Sequence, residues 1–388
     1  MSEPFVIVGG GLTAAKAVEQ LRESGYDGDL VVFAREPHLP YERPPLSKGY
    51  LLGNDERDSV FVHDAGWYAE HDVDLRLGVS VDAVDPVGRT VTAGDASTPY
   101  AKLLLATGSA PRPLAMADDS GAPVAYLRVL EDTERLKEAF TDGARIAVLG
   151  GGWIGLEVTS AARAAGAEVT VVESLDLPLL RVLGPEVAGV FADLHREHGV
   201  DLRLGARLTG VRRSGGGVRL TLDAGTVDAD LLLVGIGAAP ITTLAEKAGL
   251  DVDNGVLVDE HLRTSAPDVL AAGDIANAWH PVLGRRVRVE HWDNAIEQGK
   301  AAARSMLGED VSYDRLPYFF TDQYDLGMEY VGHADPAEVD EVVVRGDTSG
   351  DRVFTAYWVK DGVVAAGMHA NDWDAIDGIR DQVGEPLR

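Results

Sequence analysis

The 388-residue sequence contains no cysteine. This absence excludes disulfide bonds, thiolate metal sites and any redox-active dithiol. Basic residues are also scarce, with 35 Lys and Arg against 63 Asp and Glu, which gives a formal net charge of -28. A surface of that charge repels phosphate groups, so nucleic acid is not expected as a partner.

Long apolar runs are missing as well, and no segment reaches the length that spans a bilayer. No basic-then-apolar leader precedes the first predicted strand, so we expect a cytoplasmic protein with no membrane partner. The 10 His residues are scattered and show no zinc-helix pair with a third ligand, so no metal site is expected. At this length the chain should form two or three domains.

The segment from Arg145 to Glu173, RIAVLGGGWIGLEVTSAARAAGAEVTVVE, predicts a strand, a tight turn, a helix and a second strand. Gly150 suits the turn, Gly152 lets the backbone approach a pyrophosphate, and Gly155 lets the helix lie close to the strand. The free N–H groups at the helix start favour an anion there. Glu173 is placed to accept hydrogen bonds from an adenosine ribose.

The N-terminal stretch FVIVGGGLTAAKAVEQLRESGYDGDLVVFARE repeats this layout, with Gly9, Gly11 and Ala14 in the three turn positions. Glu36 is the first carboxylate after its second strand, and we assign it to a ribose. Two such units in one chain predict two different dinucleotides.

The loop HLPYERPPLSKGYL contains three prolines, which predict an extended backbone that presents Arg43 and Lys48. Two rigidly held cations suit a pyrophosphate and an electron-rich ring. Further along, the buried-strand run LLL is followed by Ala106, Thr107 and Gly108, a turn that brings the backbone close to a ligand.

Four further positions follow predicted element boundaries. Arg128 stands at the start of an amphipathic helix, and Gly237 lies in a glycine turn after a strand. Asp274 follows a small-residue turn, a position suited to hydroxyl recognition, and Trp292 opens a helix. Among the segments after Glu173, LGPEVAGVFADLHREHG predicts a helix, and VDLRLGARLTGVRR and VRLTLDAG predict antiparallel strands. From Tyr313 onward, short alternating runs predict further antiparallel strands and a closing helix.

These motifs resemble the FAD-dependent NADH:ferredoxin reductases of oxygenase systems, relatives of the apoptosis-inducing-factor flavoproteins. The resemblance covers essentially the whole chain and is carried by VGGGLTAA, PYERPPLSK, LLLATGSAPR, GGGWIGLE, VTVVE, VGIGAAP, AAGDIA, EHWDNAIEQG and FFTDQYDL. It implies an α/β fold with two Rossmann-like domains and a small α+β C-terminal domain. The implied boundaries are 1–110 and 240–312 for the FAD domain, 111–239 for the inserted NAD domain and 313–388 for the C-terminal domain.

The resemblance also implies site residues. Carried over to this sequence, the FAD contacts fall on Gly9, Gly11, Ala14, Glu36, Arg43, Lys48, Val81, Ala106, Thr107, Gly108, Arg128, Asp274 and Trp292. The NAD contacts fall on Gly150, Gly152, Ile154, Gly155, Glu173 and Gly237. In such enzymes Lys48 and Glu157 pair beside the reactive edge of the flavin and act as catalytic residues.

The implied activity is hydride transfer from NADH to flavin, followed by single-electron transfer to a ferredoxin-type acceptor, by a monomer or homodimer. Glu173 favours NADH over NADPH, because a carboxylate repels a 2′-phosphate. The sequence departs from the family at Tyr318 and Phe320, where tryptophans are usual, and a change of aromatic residue near the flavin would alter how electrons leave it. A cationic docking patch is predicted at Arg285, Arg286 and Arg288.

Two other functions stay open at this point. An NADH oxidase or a small-molecule oxidoreductase would need no docking patch, which suits an acidic surface. A protein of another class, an NADH-gated binding protein like the apoptosis-inducing-factor relatives, would form a long-lived reduced complex. The lifetime of the reduced flavin in air separates the oxidase from the other two.

Overall fold

A computed structural model describes residues 3–388, and the chain divides into two compact units. The first unit comprises Met1–Glu42, Asp58–Ala110 and Ala239–Pro317, and the second comprises Arg43–Arg57, Pro111–Ala238 and Tyr318–Arg388. The chain therefore leaves the first unit twice and returns twice before its final segment. The predicted division into three domains differs from this division into two units and stays a prediction.

The helices are α1 Leu12–Glu23, α2 Gly49–Leu52, α3 Ala65–Glu70, α4 Ala115–Asp118, α5 Leu130–Ala139, α6 Trp153–Ala164, α7 Leu180–Glu197, α8 Thr243–Lys247, α9 Trp292–Met306 and α10 Ile376–Gln382. Single 3₁₀ turns cover Pro44–Ser47, Arg57–Val60 and Gly273–Ile275.

The first strands are β1 Phe5–Val8, β2 Leu30–Ala34, β3 Val73–Leu77, β4 Ala83–Asp85, β5 Thr90–Ala93, β6 Ala96–Pro99, β7 Lys102–Leu105, β8 Ser109–Pro111, β9 Val124–Ala125, β10 Arg145–Leu149, β11 Glu168–Val172, β12 Asp201–Arg203 and β13 Leu208–Ser214. The remaining strands are β14 Gly217–Leu222, β15 Gly225–Ala229, β16 Leu231–Val234, β17 Ala238–Pro240, β18 Val256–Val258, β19 Val269–Ala271, β20 Ala276–His280, β21 Arg285–Val287, β22 Tyr318–Gln323, β23 Leu326–Gly332, β24 Glu341–Gly346, β25 Phe354–Lys360 and β26 Val363–Ala370.

The first unit is built on a parallel sheet of order β19-β7-β1-β2-β3. Strands β1 and β2 are apolar and buried along their whole length, as expected of a parallel sheet that is covered on both faces. Helices α1 and α9 pack against each other, and their close approach depends on Gly299, where an added Cβ would meet the carbonyl oxygen of Thr13. Two small three-stranded sheets, β4-β5-β6 and β18-β20-β21, complete this unit.

The second unit contains a parallel sheet of order β12-β11-β10-β16-β9 and the antiparallel sheet β13-β14-β15. Its C-terminal segment forms the antiparallel sheet β22-β23-β26-β25-β24. That sheet shares a hydrophobic core with α7: Trp358 of β25 is fully buried, and its ring N–H donates to the carbonyl oxygen of Leu183 at 3.1 Å. The predicted α/β fold class, with two Rossmann-like sheets and a small C-terminal antiparallel sheet, is confirmed.

Two local predictions are wrong. The proline-rich loop is extended only around Tyr41, which forms a β-bridge with Phe61. It is not extended beyond that point, because Pro44 opens a 3₁₀ turn, and α2 follows directly after Lys48. Proline is well suited to the first turn of a helix, since its fixed φ is close to helical and its missing N–H has no partner to lose there. The segment around Asp201 was expected to be antiparallel, but β12 adds in parallel to β11.

Within residues 3–388, no helix is long and apolar enough to cross a membrane. The same residues contain no group of three or more His, Asp or Glu side chains that could hold a metal ion.

Candidate functional site

The first group of predicted site residues lies at one edge of the first unit's parallel sheet. The turns that follow β1, β2, β7 and β19 carry Gly9 to Gly11, Glu36, Ala106 to Gly108, and Asp274. Because the carboxyl ends of neighbouring parallel strands meet at the same sheet edge, the fold brings these turns together.

Gly9 and Gly11 of the first turn are required for different steric reasons. Gly9 has a φ of 142°, and an added Cβ there would meet the carbonyl oxygen of Ala106. Gly11 is the N-cap of α1, and an added Cβ would have no atom within 4 Å. The turn therefore has one glycine for close packing on its neighbour and another that leaves the helix start open to an approaching group.

Hydrogen bonds fix the polar side chains at this edge. The Tyr41 hydroxyl donates to the Glu36 carboxylate. Thr107 Oγ1 donates to the carbonyl oxygen of Ile241 at 2.8 Å, and Ser109 Oγ donates to Asp274 Oδ2 at 2.8 Å. Tyr41 and Ser109 were not predicted as site residues, although each stands within five residues of one that was.

The remaining predicted residues of the first unit are apolar. Ala14 is fully buried in α1, where its small side chain permits close packing. Val81 follows β3 and packs on the hydrophobic core. Trp292 opens α9 and packs with Leu12, the first residue of α1, in a small apolar cluster.

The second unit repeats the arrangement at the carboxyl edge of its own parallel sheet. Gly150 has a φ of 105°, and an added Cβ at Gly155 would meet the carbonyl oxygen of Gly150. This contact is the close approach of helix to strand that the glycine spacing predicts. Gly152 is the N-cap of α6, and an added Cβ there would have no atom within 4 Å. As at Gly11, the helix start is open.

Three more predicted residues surround this turn. Glu173 follows β11, and its Oε2 accepts a hydrogen bond from the backbone N–H of Gly151 at 2.7 Å. Ile154 is 46% exposed although it lies in the first turn of α6. Gly237 has a φ of 97° and follows β16.

The two arginines predicted to contact FAD are joined through the backbone. The Arg43 guanidinium donates to the carbonyl oxygen of Arg128. Asp132 in turn accepts from the backbone N–H groups of Arg128 and Val129, at 2.9 and 3.0 Å, and caps the start of α5. The capping carboxylate was not predicted, although an acid at the third position of a helix is its usual signal.

Lys48 and Glu157 form an ion pair in the second unit, with 2.6 Å between Nζ and Oε1. Glu157 also accepts from Ser47 Oγ at 2.5 Å and from Thr321 Oγ1 at 2.6 Å. Lys48 Nζ lies 5.3 Å from the centre of the Phe320 ring. A buried carboxylate is stable only when charge and donors compensate it, and these three donors do so.

The hydroxyls of Ser47 and Thr321 are site features that sequence reasoning missed. Ser47 stands inside the PYERPPLSK motif, so its neighbour Lys48 was the only available signal. Thr321 is 164 residues from Glu157, and no local pattern connects them.

The predicted docking arginines are already engaged within the first unit. Arg286 donates to the carbonyl oxygens of Val258 and Asn277, at 2.8 and 2.9 Å. Arg288 forms an ion pair with Glu290. Arg286 therefore links β21 to β18 and β20, while Arg288 is held by a neighbouring carboxylate. Docking by this patch stays a prediction.

Each of the two parallel sheets has a glycine turn, a helix that starts open and a carboxylate after the next strand. This arrangement defines a protein that binds two dinucleotides. Comparison with known proteins specifies the family. The model of the pyridine nucleotide-disulphide oxidoreductases matches residues 3–299, and that of the reductase C-terminal domain matches residues 318–384.

Sequence similarity to individual known proteins extends over most of the chain. The ferredoxin–NAD(+) reductase component of the anthranilate 1,2-dioxygenase system of Burkholderia cepacia is 43% identical over 349 residues, which cover 89% of this chain and 85% of that protein. Putidaredoxin reductase of Pseudomonas putida is 35% identical over 372 residues, 94% of this chain and 88% of that protein. The crystal structure of a covalent putidaredoxin reductase–putidaredoxin complex matches with a TM-score of 0.93 at 33% identity, and covers 98% of this chain and 93% of that one.

The chain therefore belongs to the pyridine nucleotide-disulphide oxidoreductase family, and it is an FAD-dependent NAD(P)H oxidoreductase. Because it contains no cysteine, it cannot form the disulfide after which the family is named. Electrons must leave its flavin without a protein disulfide in between.

Proposed function

We propose that this protein takes a hydride from NADH onto FAD and passes the electrons singly to a small iron–sulfur protein of the ferredoxin class. The observation that carries this proposal is the similarity to reductase components over most of both chains. The absence of cysteine is compatible with it, because the electrons then pass from the flavin to the acceptor without a protein disulfide in between.

The geometry suits both cofactors. The open helix starts at Gly11 and Gly152 each present backbone N–H groups to a pyrophosphate. Glu36 and Glu173 follow the second strands of their units, where a ribose would lie. We assign FAD to the residues Gly9, Gly11, Ala14, Glu36, Arg43, Lys48, Val81, Ala106, Thr107, Gly108, Arg128, Asp274 and Trp292, and NADH to Gly150, Gly152, Ile154, Gly155, Glu173 and Gly237.

When bound, FAD supplies the ability to accept two electrons together and to release them one at a time. The protein itself supplies a charged group held in a fixed position. Lys48 holds an ammonium group at a fixed place, where it would stabilise the negative charge that develops on reduction. Glu157 fixes that ammonium group, since the two are 2.6 Å apart and Glu157 itself is held by Ser47 and Thr321.

The carboxylate of Glu173 sets the proposed preference for NADH. Its two oxygens accept from the backbone N–H groups of Gly151 and Leu175, at 2.7 and 2.9 Å. These bonds hold a negative charge where a 2′-phosphate would lie, and like charges repel. A supply of NADH favours the cytoplasm as the location, which fractionation of the source cells would test.

Steady-state turnover tests the proposal. The protein is mixed with NADH, the ferredoxin of an oxygenase system and cytochrome c as the final acceptor. NADH oxidation should depend on the ferredoxin concentration and saturate with it. Equally fast oxidation of NADH with dioxygen alone would instead favour the oxidase function, for which the acidic surface needs no docking patch.

A further inference from the structure

A line of buried polar side chains extends from Glu157 into the interior of the second unit and begins at Oε1, the oxygen that also binds Lys48. Thr321 Oγ1 donates to Glu157 Oε1 at 2.6 Å, and Gln323 Nε2 donates to Thr321 Oγ1 at 3.2 Å. The Oε1 of Gln323 then lies 2.9 Å from Nε2 of His195. We call Thr321, Gln323 and His195 the polar line.

The polar line is buried along its whole length. Thr321 is 1% exposed, and Gln323 and His195 are 0% exposed. Burying polar groups costs free energy unless they are hydrogen bonded. Here each group has a partner, and the line ends at Tyr324, whose hydroxyl lies 3.2 Å from His195 Nδ1.

The partners fix the direction of every hydrogen bond. Because Gln323 donates to Thr321 through its amide nitrogen, its amide oxygen must accept, so His195 carries its proton on Nε2. His195 Nδ1 is then the acceptor for the Tyr324 hydroxyl. Burial lowers the pKa of His195 to about 4, so the ring is neutral near pH 7.

The Thr321 hydroxyl, at the end of the line next to Glu157, therefore has a single orientation. The Glu157 carboxylate can only accept a hydrogen bond, so the Thr321 proton points to Glu157, and Thr321 Oγ1 in turn accepts from the Gln323 amide. All the donors from Tyr324 onward thus point toward Glu157, and aligned hydrogen bonds polarise one another. A proton cannot pass along the line by simple hops, since the Gln323 amide interrupts it.

We propose that the polar line is a positioning device for the ion pair, in which His195 and Gln323 lock the Thr321 hydroxyl onto Glu157 and so hold Lys48 in place. The inference rests on the proposed function, because Lys48 and Glu157 have their role beside bound FAD. Thr321, Gln323 and His195 are positioning residues: they act on the flavin only through Glu157.

The test uses the holoprotein and the variants Thr321→Val and His195→Leu, each of which removes a donor from the line. The rescue variants are Thr321→Ser, which keeps the hydroxyl, and His195→Gln, whose amide N–H can still donate to Gln323. Thr133→Val is the matched control, since Thr133 is fully buried in the same unit but donates to the carbonyl oxygen of Leu46.

The deciding measurement is the midpoint potential of bound FAD, obtained by equilibration with a reference dye, which needs neither NADH nor ferredoxin. When the Thr321 hydroxyl is lost or no longer held in place, the charge of Glu157 is less well compensated, so reduction should be disfavoured roughly tenfold, a fall of about 30 mV for a two-electron couple. Thr321→Val and His195→Leu should show the fall. Thr321→Ser, His195→Gln and Thr133→Val should stay at the wild-type value.

A second readout follows the line itself. The ¹⁵N NMR spectrum of labelled histidine should show His195 protonated on Nε2 alone at pH 7. An unchanged potential in both donor-removing variants, or His195 protonated on Nδ1, would overturn the inference. Failure of the wild-type protein to be reduced by NADH would instead overturn the proposed function, and the potentials would still decide the inference.

Discussion

Replacing Lys48 with Met should destabilise the protein more than removing any exposed lysine. The Lys48 side chain is 15% exposed and that of Glu157 is 4% exposed, so the substitution leaves a carboxylate buried without its cation. Removing one partner of a buried pair usually costs 3–5 kcal/mol. The hydroxyls of Ser47 and Thr321 still donate to Glu157, so we expect a loss near the lower end, about 3 kcal/mol.

The matched control is Lys360→Met in the same unit. Lys360 and Glu338 also form an ion pair, at 3.0 Å, but their side chains are 46% and 54% exposed. Exposed pairs contribute little, so the loss should stay below about 1 kcal/mol. The assay is urea unfolding of the FAD-bound protein, with the second unit followed by hydrogen exchange so that the two units are not averaged together.

The double variant Lys48→Met, Glu157→Gln adds a sharper criterion. Removing the charge along with its partner eliminates the unpaired buried anion, so the double variant should be more stable than Lys48→Met alone. The reasoning is refuted if Lys48→Met and Lys360→Met lower the free energy of unfolding equally, or if the second substitution gives no recovery.

Three further predictions concern the nucleotide turn and pH. Gly155→Ala places a Cβ against the carbonyl oxygen of Gly150, so the KM for NADH should rise roughly tenfold while FAD content stays unchanged; an unchanged KM would contradict the tight approach. Glu173→Gln removes the negative charge and keeps an acceptor for the N–H of Gly151, so the ratio of kcat/KM for NADPH to that for NADH should rise roughly tenfold; an unchanged ratio would show that the charge does not set the preference. Burial lowers the pKa of His195 to about 4, below the unfolded value of about 6.5. The contribution of the neutral ring to the free energy of unfolding is therefore complete above about pH 6.5. It is lost as the pH falls toward 4, by about 3 kcal/mol in all. Urea unfolding from pH 4 to 7 should therefore show a steeper decline in the wild type than in His195→Gln, and parallel curves would contradict a buried neutral imidazole.

The sequence predicted best those features whose causes are local. The glycines at 150 and 155 lie five residues apart, and their steric roles follow from the strand–turn–helix pattern alone. Glu173 could be placed because it ends the next strand of the same unit. Family resemblance, not spacing, predicted that Lys48 and Glu157 pair across 109 residues of chain.

Features that depend on tertiary contacts were missed. Thr321 and Gln323 lie in a strand that any alternating pattern would predict, and nothing in that pattern indicates which of its residues faces Glu157. His195 lies within α7, in a stretch predicted only as a helix, and its partner Gln323 is 128 residues away. The error at Pro44 was of another kind, since proline suits both an extended segment and the first turn of a helix, and only the contacts of the following residues decide between them.

Anaerobic stopped-flow reduction tests the central claim most directly. The FAD-bound protein is mixed with NADH, and the reduced protein is then mixed separately with an oxygenase-system ferredoxin and with air-saturated buffer. We predict rapid bleaching of the flavin by NADH, rapid reoxidation by the ferredoxin and slow reoxidation by air. Reoxidation that is rapid in air, and no faster with the ferredoxin, would contradict the proposal that a one-electron protein acceptor receives the electrons.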